Sequence, residues 1–406
     1  MIHALKKLLF SRSRSSLNLF LILPVLVFVA AGCLCSGGNE LRTCITSDGS
    51  NLVWAGSTFQ IIRLADGAVT FSDKSRYTDV LCAGDNEILT VREEPVRKNN
   101  ESRTERTIIW RNAAKTYRPA HVESFQKFHG FIQNRYFVSS SRGFVERSRK
   151  VGKNTERYNL YNQPQVFNLE DSTGGQLKSH YLHRDKLGLP ETILYEDLGF
   201  YPLSLAEDGA LLFAMSDKTT QLASLHKINM FDGNIGRTGD AVPLPKEMRF
   251  LEQVVSDKFG KFIAFVYEGP IGDSNQKLVN VLNTKTNQTV VSKNIRGVSF
   301  NSGTPRLVFE ENGAKLAIMV EGFRFDPTRS VHDITVFDLE TGREVSSLDA
   351  EEFFKKPESV GLIRLVGDEL LLTYSYKKPF RDEESHLCKV NLPTRQIVWD
   401  INSSGK

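Results

Sequence analysis

Val336-Phe337-Asp338-Leu339-Glu340-Thr341-Gly342-Arg343-Glu344-Val345 packs a strand, a tight turn and the start of a second strand into ten residues. Related versions begin at Asn283, with Val290 in the second strand, and at Asn391, with Val398. Looser ones begin near Arg63, Arg111, Asn168 and Asn229, so the heads recur at intervals of 48 to 61 residues. A period of that length marks a repeat architecture, and it has to be recognised before any single element is assigned.

A different signature alternates with the first. It is a polar turn followed by a strongly apolar run: Asp48-Gly49 before Leu52-Val53-Trp54, Asp85-Asn86 before Ile88-Leu89, and Gln133-Asn134 before Tyr136-Phe137-Val138. It continues with Asp208-Gly209 before Leu211-Leu212-Phe213, Phe259-Gly260 before Phe262-Ile263-Ala264-Phe265, Asn312-Gly313 before Leu316-Ala317-Ile318-Met319, and Gly367-Asp368 before Leu370-Leu371-Leu372. Asx-Gly pairs supply the positive φ that a tight hairpin requires, and apolar runs of this length suit buried strands. Two alternating hairpins per unit give four strands in about 50 residues, the pattern of a β-propeller. The expectation is an all-β, seven-bladed β-propeller of four-stranded antiparallel blades over residues 41–402, with one short helical turn at Ala350–Lys356, stopped by Pro357.

Phe337-Asp338-Leu339-Glu340-Thr341-Gly342 resembles the strand-turn core of WD40-like, YVTN-like and quinoprotein-like propeller repeats, and the Trp399 ending of the last unit resembles the quinoprotein-like form. Trp54, Trp110 and Trp399 do not follow the regular spacing of a tryptophan-docking motif.

The N-terminus supplies a second signal. Lys6, Lys7, Arg12 and Arg14 precede an apolar stretch from Leu17 to Ala31 that contains Asn18 and Pro24, which reads as a secretory signal too short to span a bilayer. Ala30-Ala31-Gly32-Cys33 follows and resembles the bacterial lipobox. That resemblance implies a signal peptide over 1–32, lipidation of Cys33, and a tether over 33–40 that holds the protein to a membrane; two or more acyl chains anchor stably. An uncleaved signal anchor is the alternative, and both leave the bulk of the chain outside the cytoplasm. Leu34 is not the Asp that typically retains lipoproteins in an inner membrane, which points to the outer membrane or cell surface. A lipoprotein with such repeats is similar to the propeller lipoprotein of the outer-membrane β-barrel assembly machinery.

The four basic leader residues account for the whole excess of 52 Lys and Arg over 48 Asp and Glu. The mature chain is therefore neutral, which disfavours nucleic acid as a partner. Beyond Cys33 there are Cys35, Cys44, Cys82 and Cys388, in a compartment where disulfides persist. Cys44 and Cys82 precede comparable turns in adjacent units and form the candidate disulfide, one of three full pairings.

Connections between second and third strands must share one end of the propeller. The long ones are Glu93–Thr104, Ser139–Arg157, Gly269–Gln276, Gly322–Ser330 and Lys377–Ser385, together with the interblade stretch Leu177–Tyr201. They are basic and aromatic, with Arg142, Arg149 and Lys150 in one blade and Phe323, Arg324, Phe325, Tyr376, Lys377, Phe380 and Arg381 in two others. Arg and aromatic residues dominate interface anchors, so this face is the expected docking surface for an acidic protein segment, an anionic glycan or a lipid headgroup, with an envelope protein the leading partner. No G-x-S-x-G, H-E-x-x-H, P-loop or G-x-G-x-x-G pattern occurs, and no cofactor or metal is expected. His180-x-x-His183 and the Asp232-Gly233-Asn234 turn are weak metal lookalikes. The alternative function is an exported propeller hydrolase or lactonase that uses Glu310 and Glu311 in its central channel.

Overall fold

The structure is a computed structural model and describes residues 42–402 apart from short breaks. The first sheet is an antiparallel meander of β1 (Arg42–Ile45), β2 (Asn51–Ala55), β3 (Phe59–Arg63) and β4 (Val69–Asp73). The next contains β5 (Tyr77–Ala83), β6 (Glu87–Lys98), β7 (Glu101–Asn112), β8 (Lys115–Thr116) and β9 (Ala120–Val122). Then come β10 (Lys127–Ile132) and β11 (Tyr136–Arg142), the separate hairpin β12 (Val145–Val151) and β13 (Asn154–Leu160), and β14 (Gln165–Asp171) and β15 (Gln176–Tyr181), which complete the sheet of β10 and β11.

Another sheet holds β16 (Leu198–Leu205), β17 (Ala210–Asp217), β18 (Leu222–Asn229), β19 (Ile235–Arg237) and β20 (Val242–Pro243). It is followed by β21 (Phe250–Ser256), β22 (Phe262–Glu268), β23 (Lys277–Asn283) and β24 (Gln288–Ile295). The last two sheets are β25 (Ser299–Phe300), β26 (Arg306–Phe309), β27 (Lys315–Phe325), β28 (Thr328–Asp338) and β29 (Glu344–Asp349), then β30 (Ser359–Val366), β31 (Glu369–Tyr376), β32 (Glu384–Asn391) and β33 (Gln396–Asn402).

Second strands such as β17, β22 and β31 are buried almost throughout, because each sheet is covered on both faces by its neighbours. This is why their sequences are continuous apolar runs rather than alternating ones. Outer strands such as β4 and β33 are largely exposed.

The first and last sheets meet. Leu52, Trp54, Ile62 and Leu64 pack with Ile363, Leu371 and Leu387. Across this junction Lys389 Nζ and Trp399 Nε1 donate to the Leu64 carbonyl at 3.0 and 3.2 Å, and Arg364 Nη2 donates to the Thr43 carbonyl at 3.0 Å. Meander sheets packed face to face and closed last onto first make a β-propeller.

The expectation of a seven-bladed propeller of four-stranded antiparallel blades is corrected on two counts. Three of the sheets carry a fifth strand, and β12–β13 forms a two-stranded sheet of its own. Among the described residues the apolar cores between neighbouring sheets number six, not seven. Where β5 lies beside β10, the buried residues of the β10–β15 sheet that do not face its apolar core include Phe137 together with Ser139, Asn168 and Glu170. Ser139 donates to Glu170 there at 2.5 Å, and burial raises the Glu170 carboxyl.

Bulges recur in register. The first strands β5, β10, β16, β21 and β30 each carry one, with Glu252 the extra residue in β21. The fourth strands gain Thr70, Leu177, Val290, Val345 and Val398 in the same way. A bulge bends its strand and increases its twist, which suits the strong twist from inner to outer strand of a blade. The helical turn expected at Ala350–Lys356 is a 3-10 turn at Ala350–Glu352, capped by Asp349, whose carboxylate accepts from Glu351 N at 3.0 Å. Cys44 of β1 and Cys82 of β5 form a disulfide with Cα atoms 5.6 Å apart, tying the first two sheets together.

Candidate docking face

In every four-stranded meander the first–second and third–fourth turns lie at one end and the second–third connection at the other. The tight-turn end is fixed by side-chain chemistry. Asp338 Oδ1 accepts from Thr341 N at 2.7 Å, and Asn391 Oδ1 accepts from Thr394 N at 3.0 Å in the equivalent turn. Asp257 accepts from Phe262 N and Phe259 N at 2.7 and 3.3 Å. These are Asx-type turns, which hold the backbone without help from solvent.

The opposite end carries the long connections, and several are strands rather than the loops expected. Residues 93–104 continue the β6–β7 pair, with Glu93 opposite Arg106 and Lys98 opposite Glu101. Residues 322–330 continue β27–β28, with Phe323 opposite Ser330, Arg324 opposite Arg329 and Phe325 opposite Thr328. Arg142 ends β11 opposite Gln165, while Arg149 and Lys150 lie in the β12–β13 hairpin opposite Glu156 and Thr155. Backbone pairing in the hairpins satisfies polar groups that a long loop would leave to water.

Phe323 is half-buried. Tyr376 is also half-buried; it ends β31 and packs edge-on against Tyr374, with ring centroids 5.4 Å apart. Lys377, Phe380, Arg381 and Cys33 lie outside the described residues.

Two polar clusters at this end were not anticipated. At the starts of β21 and β23, Lys277 Nζ donates to Glu252 Oε1 at 2.6 Å, with only 4% and 15% of the two side chains exposed. Burial raises the Glu252 carboxyl, which Lys277 opposes. Burial likewise raises the Tyr201 phenol, whose hydroxyl donates to the Leu251 carbonyl at 3.3 Å. The only trace of this cluster in the sequence is Glu252-Gln253, which interrupts the apolar residues of β21.

In the second cluster, Tyr374 stacks between Phe354 and His386 with centroids 4.0 and 4.6 Å away. Asp400 accepts from the Tyr374 hydroxyl and lies 3.2 Å from His386 Nδ1. The partners are spread over three strands, so no spacing announces them. Cys388, fully buried on the same sheet, has its thiol pushed up by burial.

Most of the residues considered for catalysis and metal binding have structural partners, although Glu310 Oε2 is buried without a hydrogen-bond partner. Glu310 sits in a first–second turn, its carboxyl raised by burial, and Glu311 pairs with Arg364 at 3.5 Å. His180 Nε2 is 2.9 Å from the Met230 carbonyl of the next sheet, and His183 stacks on Tyr181. Asp232 Oδ1 accepts from Asn234 N at 2.9 Å within a hairpin turn. Among the described residues no group of three His, Cys, Asp or Glu side chains is arranged to hold a metal ion. A cleft of about 480 Å³ is lined by mixed charges, Lys293, Arg296 and Arg395 against Asp333, Asp349 and Glu352.

No family model matches the chain, and no curated protein does. Solved structures that it resembles include hydrazine synthase of Kuenenia stuttgartiensis, at 11% identity and a TM-score of 0.47 over 90% of this chain and 96% of that one. Others are prolyl oligopeptidase B from Galerina marginata bound to a macrocyclization substrate (9%, 0.46, 86% of this chain and 46% of that chain) and the complex of KlAtg21 with the coiled coil of AgAtg16 (10%, 0.47, 89% and 98%). These likenesses carry nothing about activity, substrate or partner. By its own strand order and closure, the chain is a β-propeller.

Proposed function

We propose that this protein is a membrane-anchored binding propeller of the bacterial envelope, tethered through Cys33, that docks a protein partner through its long-hairpin face. The observation that supports the reading most is that β6–β7, β12–β13, β27–β28 and the connection after Tyr376 all leave the propeller at one end. Insertions on one face of a repeat fold vary without disturbing packed strands, and such faces commonly bind. The anchor reading rests on the leader and on Ala30-Ala31-Gly32-Cys33.

The test is replacement of residues 322–331 and 376–384 by two-residue turns, followed by purification from detergent-solubilised membranes. Partners retained by the parent protein are lost from the double replacement. Unchanged partners would rule out this face. An acyl-free N-terminus at Cys33, read by mass spectrometry, removes the anchor independently.

A further inference from the structure

β1 starts at the end of the propeller from which the long hairpins leave. Arg42, the first described residue, pairs with Ala55, the last residue of β2, so β1 starts beside a second–third connection. Cys33 lies nine residues before Arg42, a reach of about 30 Å for a fully extended chain. The β12–β13 hairpin has seven paired positions per strand, about 23 Å at the usual rise, and is inserted between β11 and β14 at that same end.

Residues 145–160 carry Arg147, Arg149, Lys150, Lys153 and Arg157 against Glu146 and Glu156. The hairpin is therefore strongly basic in a mature chain that is neutral overall. Basic segments close to an anionic leaflet are attracted over a Debye length, and each Lys or Arg contributes about as much as a fivefold change in affinity.

We propose that the β12–β13 hairpin rests on anionic phospholipid headgroups of the membrane that holds the tether, so that the propeller stands with its long-hairpin end toward the lipid and its Asx-turn end away, and the other long hairpins meet their protein partner at the membrane surface. This rests on the anchored reading above for its biological setting, but the lipid contact is a property of the hairpin and is tested separately. The β6–β7 hairpin is charge-mixed, with Arg97, Lys98, Arg103 and Arg106 against Glu93, Glu94, Glu101 and Glu105, which singles out β12–β13 as the lipid contact.

The experiment uses the full chain and its Cys33→Ser variant with vesicles of phosphatidylcholine, alone or with phosphatidylglycerol, some of it brominated as a quencher. Tyr158→Trp reports from the hairpin and Lys285→Trp from the opposite end, each read as the difference from its parent. Bromolipid is expected to quench the Tyr158→Trp signal and not the Lys285→Trp signal, in anionic vesicles only, with and without Cys33. Neutralising Arg149 and Lys150 together with glutamine is expected to lower the affinity of the Cys33→Ser chain for anionic vesicles about thirtyfold. Equal quenching from both ends, quenching from the Lys285 end alone, or binding of the Cys33→Ser chain indifferent to phosphatidylglycerol overturns the proposal. Equal binding to neutral vesicles by wild type and the Cys33→Ser chain counts against the anchor alone.

Discussion

The Trp399 indole nitrogen donates to the Leu64 carbonyl at 3.2 Å, joining the last strand of the propeller to the third–fourth turn of the first sheet. The same turn brings Gly67 against the indole. At φ +74, a Cβ on Gly67 would lie 3.0 Å from the ring. Lys389 shares the Leu64 acceptor, so one carbonyl receives two donors from the closing sheet.

Closure should therefore be sensitive at both partners. Trp399→Phe removes the donor and part of the contact and is expected to cost about 1 to 2 kcal/mol. Gly67→Ala combines a positive φ with a clash against the ring and is expected to cost at least as much. Urea unfolding would show both, and a Gly67→Ala protein as stable as wild type would contradict the packing described.

The disulfide between Cys44 and Cys82 closes a loop of 38 residues. Loop-closure entropy makes that worth about 4 kcal/mol if the native state is undisturbed. Replacing both cysteines with alanine should lower the urea midpoint by a corresponding amount, and dithiothreitol should do the same to wild type and nothing further to the double variant.

The turns were legible in the sequence because Asx side chains write their geometry locally. Asp338, Asn283 and Asn391 each accept from backbone amides two or three residues on. Gly342, with φ +69, holds a place that Asn287 and Arg395 fill in sister turns at φ 54 and 52. Gly342 has a further constraint that no local pattern shows: a Cβ would collide with the Val290 carbonyl oxygen of the preceding sheet. The bulges at Val290, Val345 and Val398 were equally silent, since an extra residue in a strand leaves the composition unchanged. The extended hairpins resemble loops in the sequence because β6–β7 is charged along its length, and charge is also what loops carry. The clusters around Lys277 and Asp400 join residues from separate strands, so only register brings them together.

Glu252 and Lys277 form a buried pair whose members are costly to separate. Lys277→Met leaves a carboxyl without its cation and should destabilise by about 3 kcal/mol. Glu252→Gln with Lys277→Met removes both charges and should recover most of that loss. A double-mutant cycle measures the coupling, and additivity of the two single changes would mean the pair contributes nothing.

His226 gives the pH dependence a sign. Its ring is 3% exposed, stacks on Phe213 with centroids 5.3 Å apart, and has Ser224 Oγ 2.8 Å from Nε2. Burial, reinforced by Arg237 opposite it, lowers its pKa from 6.5 to about 4. The folded protein thus binds fewer protons at this site than the unfolded chain between those values. The stability it contributes is complete above pH 6.5 and is lost as pH falls toward 4, on the order of 3 kcal/mol over the interval. A His226→Gln protein, neutral at every pH, should show a flatter stability profile between pH 6.5 and 4 than wild type. If the two profiles run parallel across that window, His226 is not the group that titrates on unfolding.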